Sequence, residues 1–239
     1  RIGNLQWWEQ VTSVEGFPQE PTPWHFHPVG VVGNFASGGS PAKTLSDKGI
    51  YFIFMQEHLA GTTNKLHWPG GASGVTLGAG YDMKARAPQS IVIDMKSIGL
   101  DAATARAISA GAGLQGHSAR NFCAQHTHIV NLSDEKQIEL LHKTVPAYIR
   151  MVNTSVKVNL MKNEFDALVS YAYNPGGGWT KVTDMINRGQ ISSAMDEISK
   201  YVYSGGSIFD GLVKRRKDEI TLYTSGRYEY HGRPLPPRN

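Results

Sequence analysis

Apolar and polar positions fall into stretches with different rhythms along this chain. From Ser46 to Glu57 the sequence SDKGIYFIFMQE is almost wholly apolar behind a serine able to accept a bond from the first free amides. That predicts a helix capped at Ser46 and closing near Glu57 or Leu59. Between residues 64 and 95 glycines punctuate the sequence, with a β signal over Val75–Leu77 and a weaker one over Ile91–Ile93. After Leu100 the pattern turns helical. Asp101–Ala110 is Ala-rich. Ser133–Val152 opens on a cap and carries Ile138, Leu141, Val145, Tyr148 and Ile149, which predicts one helix kinked at Pro146. Further helices are predicted over Glu164–Tyr173, Trp179–Asn187, Ile191–Tyr201 and Gly211–Thr224. A small β element followed by many helices is an α+β arrangement, and the segregation argues against alternating βαβ units. No repeat of solenoid length is present.

The first 44 residues differ. GFPQEPTPWHFHPVGVVGNFASGGSPAK carries Pro18, Pro21, Pro23, Pro28 and Pro41, and proline fixes φ and lacks an amide donor, so no long helix fits. Trp7, Trp8, Phe17, Trp24 and Phe26 are too many aromatics for a free tail. The organisation expected is therefore an irregular extension and linker over 1–44, a main domain over 45–232 and an extended tail, RPLPPRN, over 233–239.

With 40% hydrophobic and 18% charged residues the chain is a folded domain large enough for a substantial core. Its net charge of +4 favours anionic polymers. No dense Lys/Arg block with interleaved aromatics is present, so nucleic acid is not the expected partner. A single cysteine, Cys123, excludes an internal disulfide. No apolar run is long enough to span a bilayer, so no membrane insertion is expected. The start, RIGNLQWWEQ, has neither an initiator methionine nor a signal-peptide pattern, and reads as part of something longer.

Candidate chemistry lies in YFIFMQEHLAGTTNKLHWPGGASGVTLGAGYDM. Glu57 ends an apolar helix, where the negative pole of the helix dipole and apolar neighbours such as Phe54 and Met55 both disfavour a carboxylate, as a general acid requires. Position alone better fits a solvated glutamate at a frayed helix end. In a straight strand Thr76 and Asp82 would lie roughly 20 Å apart. With Gly78 and Gly80 flanking Ala79, a hairpin centred on Ala79 makes them cross-strand neighbours, with Cβ atoms about 5 Å apart. A hydroxyl and a carboxylate so placed can hold one water. Ordinary β-propensity for Thr76, and a strand-end cap or an ion pair with Lys84 or Arg86 for Asp82, are the alternatives. Asp94 is a more distant candidate.

These residues carry a resemblance. Glu57, the loop and GVTLGAGYDM resemble the active-site segment of phage-type lysozymes, most closely the pesticin-like branch. FDALVSYAYNPGGGW is similar to the superfamily's central helix and the turn after it, and GLVKRRKDEITLY resembles its late helix, with Arg215 and Arg216 at the usual place. The match runs in order over roughly residues 46–230. It implies a lysozyme-like α+β fold, an N-terminal β-hairpin beside a predominantly helical lobe. It also implies hydrolysis of the β-1,4 bond between N-acetylmuramic acid and N-acetylglucosamine in peptidoglycan. By it Glu57 is the general acid, and Thr76 and Asp82 position the attacking water. T-even phage lysozymes place their aspartate before the threonine; this chain has no acid between Glu57 and Thr76 and keeps the pesticin-like order. Superfamily members generally invert the anomeric centre, a geometry needing carboxyls roughly 6.5–9.5 Å apart. No cofactor is implied, and a monomer is expected. LQWWEQVTSVEGFPQEPTPWHFHPVG looks like sequence that accompanies lysozyme domains in type VI secretion effectors. That implies a secreted antibacterial toxin acting in the periplasm of target bacteria, a carrier docking through residues 1–44 and a cognate immunity protein.

Other features carry less. His25 with His27, and His126 with His128, have the spacing of a metal pair on a strand, but neither has a nearby acid completing a tetrahedral set. Gly176–Gly178 is a helix-stopping turn rather than a phosphate loop. The run Lys214–Lys217 is a solvated or ion-paired helix face, with arginines able to reach buried carboxylates. Two competing readings stay open, a lytic transglycosylase and a non-catalytic wall-binding module.

Overall fold

The computed structural model describes residues 42–238. The Pro- and aromatic-rich extension, with His25 and His27, lies outside the described residues but for its last few positions.

Helix α1 (Asp47–Glu57) begins where sequence chemistry places it. The Ser46 hydroxyl accepts from the Gly49 amide, and Ile50, Phe52, Ile53 and Phe54 are buried. It stops because His58 turns extended after one last bond to the Phe54 carbonyl. A long loop leads to an antiparallel hairpin of β1 (Thr76–Leu77) and β2 (Tyr81–Asp82), with Thr76 opposite Asp82 and Leu77 opposite Tyr81. Gly78 and Gly80 take φ of 62° and 100°, which lets the chain reverse around Ala79. The hairpin predicted around Ala79, and its register, are thus observed. Thr76 also pairs with His67 on its other side, so it is the middle rung of a small β platform.

Eight helices carry most of the remaining chain: α2 (Pro88–Ser97), α3 (Ala102–Ser109), α4 (Gly116–His126), α5 (Asp134–Leu141), α6 (Pro146–Ser155), α7 (Lys162–Tyr173), α8 (Trp179–Asn187) and α9 (Ile191–Ile198). A tight hairpin, β3 (Tyr203–Ser204) and β4 (Ser207–Ile208), leads into α10 (Asp210–Ser225), which ends on Gly226 at φ 69°. The extended tail begins as β6 (Arg233–Pro234), paired with β5 (Glu229–Tyr230).

Three expectations are corrected. Ile91–Ile93 is not β: it lies in α2, where Ile91 and Met95 are buried and Ile93 is exposed. The i, i+4 spacing of Ile91 and Met95 outweighs the local β-branched run, and Pro88 opens the helix from a position that needs no amide. The single kinked helix over Ser133–Val152 is two helices. Pro146 starts α6 after a turn closed by bonds from Thr144 and Val145 to the Leu141 carbonyl. His126 lies on a helix and its Nδ1 meets the Phe122 carbonyl oxygen, so it does not share a strand face with His128.

Two apolar cores result. The larger joins α1, α6, α7, α8 and α9 around Phe52, Phe165, Leu168 and Val182; the smaller gathers Val75, Leu77, Tyr81, Met83, Ile91 and Ile108 beneath the β platform. Helix α5 serves both, giving Ile138 and Leu141 to the first and Leu140 to the second. Helices α1 and α10 run antiparallel. Ser46 and Tyr228 meet on Asp166 at one end, and Glu57 meets Arg215 at the other. The carboxyl end of α1, the carboxyl end of α7 and the amino end of α10 therefore converge, and Glu57 lies there.

Candidate active site

Glu57 is the last residue of α1 and its side chain is partly open, at 22%. Its Oε1 is gripped by Nη1 of Arg215, itself 3% exposed. Arg215 is fixed in turn: Nε donates to Glu219 at 3.0 Å and Nη2 to the Ser170 carbonyl at 3.2 Å. Ser170 Oγ donates to the same Glu219 oxygen at 2.7 Å. Arg216 stands 2.9 Å from the other Glu219 oxygen as an ion pair without hydrogen-bond alignment, and donates to the Asn174 carbonyl at 2.7 Å. Burial works against the Arg215 charge, yet the carboxylates of Glu57 and Glu219 hold its pKa above the ordinary value. Burial pushes Arg216 down, against the pull of Glu219. One residue earlier Gln56 donates to Asp218, whose carboxylate also accepts the amides of His231 and Gly232, so the C-terminal hairpin braces the last turn of α1.

Strand alternation sends Val75, Leu77, Tyr81 and Met83 into the smaller core and Thr76 and Asp82 to the opposite face. There both candidate residues close on one residue, Gly74. Asp82 Oδ2 accepts the Gly74 amide at 3.1 Å and Oδ1 accepts the Lys84 amide at 2.8 Å. The Thr76 hydroxyl donates to the Gly74 carbonyl at 3.3 Å. Thr76 is closed to solvent at 3% exposure, whereas the Asp82 side chain is 31% exposed. Lys84 reaches Asp82 only at 4.0 Å. Asp94 is otherwise engaged: Tyr81 donates to it at 2.6 Å, and Arg86, stacked over the Tyr81 ring, approaches it at 3.8 Å.

Gly74 is a requirement of this clasp. A Cβ there would overlap the Asp82 carboxylate and come within 2.8 Å of the Lys84 amide nitrogen. Gly74→Ala is expected to cost roughly 1–3 kcal/mol of stability by overpacking and to displace the Asp82 carboxylate. Chemical denaturation together with the Asp82 side-chain position in a crystal structure of the variant checks both.

Two tyrosines stand near the hairpin apex and feel the charge of the acid. Tyr173, the last residue of α7, donates to the Ala79 carbonyl at the hairpin apex at 2.6 Å. Its ring centroid lies 4.5 Å from that of Tyr148. Burial, with the Glu57 charge next in weight, raises the pKa of both, Tyr173 far above its ordinary value, so both hydroxyls keep their protons. Tyr173 thus ties the hairpin apex to the carboxyl end of α7, close enough to Glu57 to feel its charge. Among the described residues no direct hydrogen bond links Glu57 to Thr76 or Asp82.

The sequence reading did not single out Tyr148 and Tyr173. Their signal was thin: Tyr173 stands immediately before the Asn-Pro-Gly turn, and Tyr148 sits in a helix opened by Pro146. Arg215 and Arg216 belong to the basic run whose arginines were expected to reach buried carboxylates, and both reach Glu219. The structure buries both. The spacing of Arg215 and Arg216 to Glu219, four and three residues, was the available clue. Among the described residues no cluster of His, Cys, Asp and Glu could hold a metal ion.

A small β-hairpin beside a helical lobe, with an acid at a helix end between them, defines a lysozyme-like protein. The sequence model of the phage lysozyme family matches residues 100–219. The chain belongs to the phage lysozyme family. That match runs from α3 into α10 and includes Arg215, and it begins after Glu57, Thr76 and Asp82. The endolysin of Bacillus phage B103 is 40% identical over 98 residues, 40% of this chain and 37% of that relative, so the chain spans just over a third of that relative's length. Among solved structures, an endolysin from Escherichia coli O157:H7 phage FAHEc1 superposes with a TM-score of 0.52 at 21% identity, over 79% of this chain and 98% of that one. The muramidase domain of SpmX from Asticcacaulis excentricus superposes with a TM-score of 0.51 at 20% identity, over 76% and 98%. These two likenesses concern the fold.

Proposed function

We propose that this protein is a muramidase that cleaves the β-1,4 bond between N-acetylmuramic acid and N-acetylglucosamine in peptidoglycan, with inversion. The observation that carries it is the gathering of Asp82 on the amide and Thr76 on the carbonyl of Gly74, in a hairpin whose apex is tied by Tyr173 to the end of the fold that holds Glu57. Membership of the phage lysozyme family and the endolysin relative support the same substrate. In this reading the Glu57 carboxyl gives its proton to the glycosidic oxygen as the bond to the anomeric carbon breaks. A water held by the open Asp82 carboxylate, which Thr76 helps to place through Gly74, attacks that carbon from the opposite face and yields its proton to Asp82. Arg215 fixes the Glu57 rotamer and neutralises the carboxylate left after proton transfer. The order of Thr76 and Asp82 supports placement in the pesticin-like branch.

We further infer from the resemblance of the first 44 residues that the protein is a type VI secretion effector acting in the periplasm of target bacteria as a monomer. It would meet a carrier through that segment and a cognate immunity protein in the producing cell. Among the described residues no helix is long and apolar enough to cross a membrane.

Mass analysis of soluble products from purified Gram-negative peptidoglycan tests the reaction. A hydrated, reducing muramic acid end is expected, released as the α anomer. Asp82→Asn should release at least roughly a hundredfold less, as loss of a general base does. Anhydromuramic ends would overturn the reading in favour of a transglycosylase, and retained β configuration would overturn the inverting geometry.

A further inference from the structure

The hairpin that opens α10 carries apolar side chains with no structural task. Tyr203 and Ile208, direct cross-strand partners on one face, are 63% and 60% exposed; Phe209 is 58% exposed and Val213 42%. Single exposed apolar residues are ordinary, but four on one hairpin and the first turn of one helix form a surface. The surface is held rigidly. Gly205 and Gly206 take φ of 59° and 84°, the conformation of a two-residue hairpin turn, and the Phe209 amide bonds the Val202 carbonyl at 2.8 Å. The Phe209 ring lies over Gly211, where a Cβ would come within 2.6 Å of it.

Its place relative to the acid follows from helix geometry. Phe209 precedes Arg215 by six residues, about 9 Å along the α10 axis. Arg215, which holds Glu57, lies within the first two turns of α10. The opposite end of α10 is occupied by Gly226 and Tyr228 against the start of α1. The apolar surface and the acid therefore share one end of the helical lobe. Lys214 and Lys217 are exposed beside this surface and pair with no carboxylate among the described residues.

We propose that the β3–β4 hairpin with Phe209 and Val213 is a docking platform for the peptidoglycan glycan strand outside the reacting sugars, an inference that rests on the muramidase reading. Sugar rings offer apolar C–H faces that fit exposed aromatic rings. The stem peptides on each muramic acid supply carboxylates that complement Lys214 and Lys217. The platform orders the strand so that the scissile bond comes to rest at Glu57, and it favours polymeric over short substrates.

Retention on insoluble Gram-negative peptidoglycan in the Glu57→Gln background reads the platform directly. Tyr203→Ala combined with Phe209→Ala is expected to weaken retention about tenfold, the combined worth of two ring contacts. On an otherwise unaltered chain the same pair should raise KM for polymer several-fold and leave kcat/KM for a soluble tetrasaccharide fragment and the thermal midpoint unchanged. Lys214→Ala should lower retention less, and only at low salt. Unchanged retention, or an equal loss on the tetrasaccharide, overturns the platform. Loss confined to binding of anionic lipid vesicles also overturns it, in favour of a membrane contact. If the parent releases no muropeptides yet its retention still depends on Tyr203 and Phe209, the muramidase reading falls and the glycan platform stands.

Discussion

Glu57→Gln is expected to lower kcat on peptidoglycan by roughly a hundred- to ten-thousandfold, the usual worth of a general acid, with little change in thermal stability. The substitution is nearly isosteric, and its amide oxygen can still accept from Arg215. What disappears is the transferable proton. The leaving sugar oxygen would then depart as an alkoxide, and water replaces the missing donor poorly beside a side chain that is only partly open. KM should change little, because the amide preserves shape and the neighbouring contacts. Turbidity loss of purified peptidoglycan, read beside a thermal melt of the same preparation, separates chemistry from folding. Activity within several-fold of the parent would remove Glu57 from the acid's role and leave Arg215 as a purely structural ion.

Parts of this site were legible because their causes are local. Ser46 opens α1 by a bond to an amide three residues on, and the apolar run behind it predicts both the helix and its end at Glu57. Gly78 and Gly80 set the hairpin register around Ala79 through allowed φ alone. The helices Trp179–Asn187 and Ile191–Ile198 follow strong apolar periodicity. Misreadings arose where a local signal lost to packing. Ile91–Ile93 is β-branched, but burial of Ile91 and Met95 on one helical face decided its form. Helix α4 buries only Ala119 and Cys123 in a polar sequence, too narrow a stripe to stand out. The remainder was unreadable in principle from spacing. Arg215 reaches Glu57 across 158 positions, and Tyr173 reaches Ala79 across 94. Nothing in GASGVTLGAGYD announces that Gly74 takes the Thr76 hydroxyl on its carbonyl and the Asp82 carboxylate on its amide. That clasp depends on the fold having already brought the strands into register.

Glu219 is where the largest loss of stability is expected. Arg215, Arg216 and Glu219 are all nearly inaccessible, and Glu219 is the acid that faces both guanidinium groups. A buried ion network adds little net stability over a well-packed apolar substitute, because desolvation offsets the attraction. Removing one member is different, since it strands the others without water or a counter-charge. Glu219→Gln leaves two adjacent buried cations with Glu57 as their remaining acidic partner and takes a charged acceptor from Ser170. The expected cost is about 3–5 kcal/mol, a fall of roughly 6–20 °C in Tm for a domain of this size. Activity should fall further than the folded fraction explains, because Arg215 loses the bond at Nε that aims it at Glu57. Adding Arg216→Met to Glu219→Gln removes the stranded charge and should restore part of the stability, a coupling that a double-mutant cycle measures. A loss below about 1 kcal/mol for the single variant would show that water reaches these charges. It would also reassign the network from a rigid support of the acid to a solvated surface cluster.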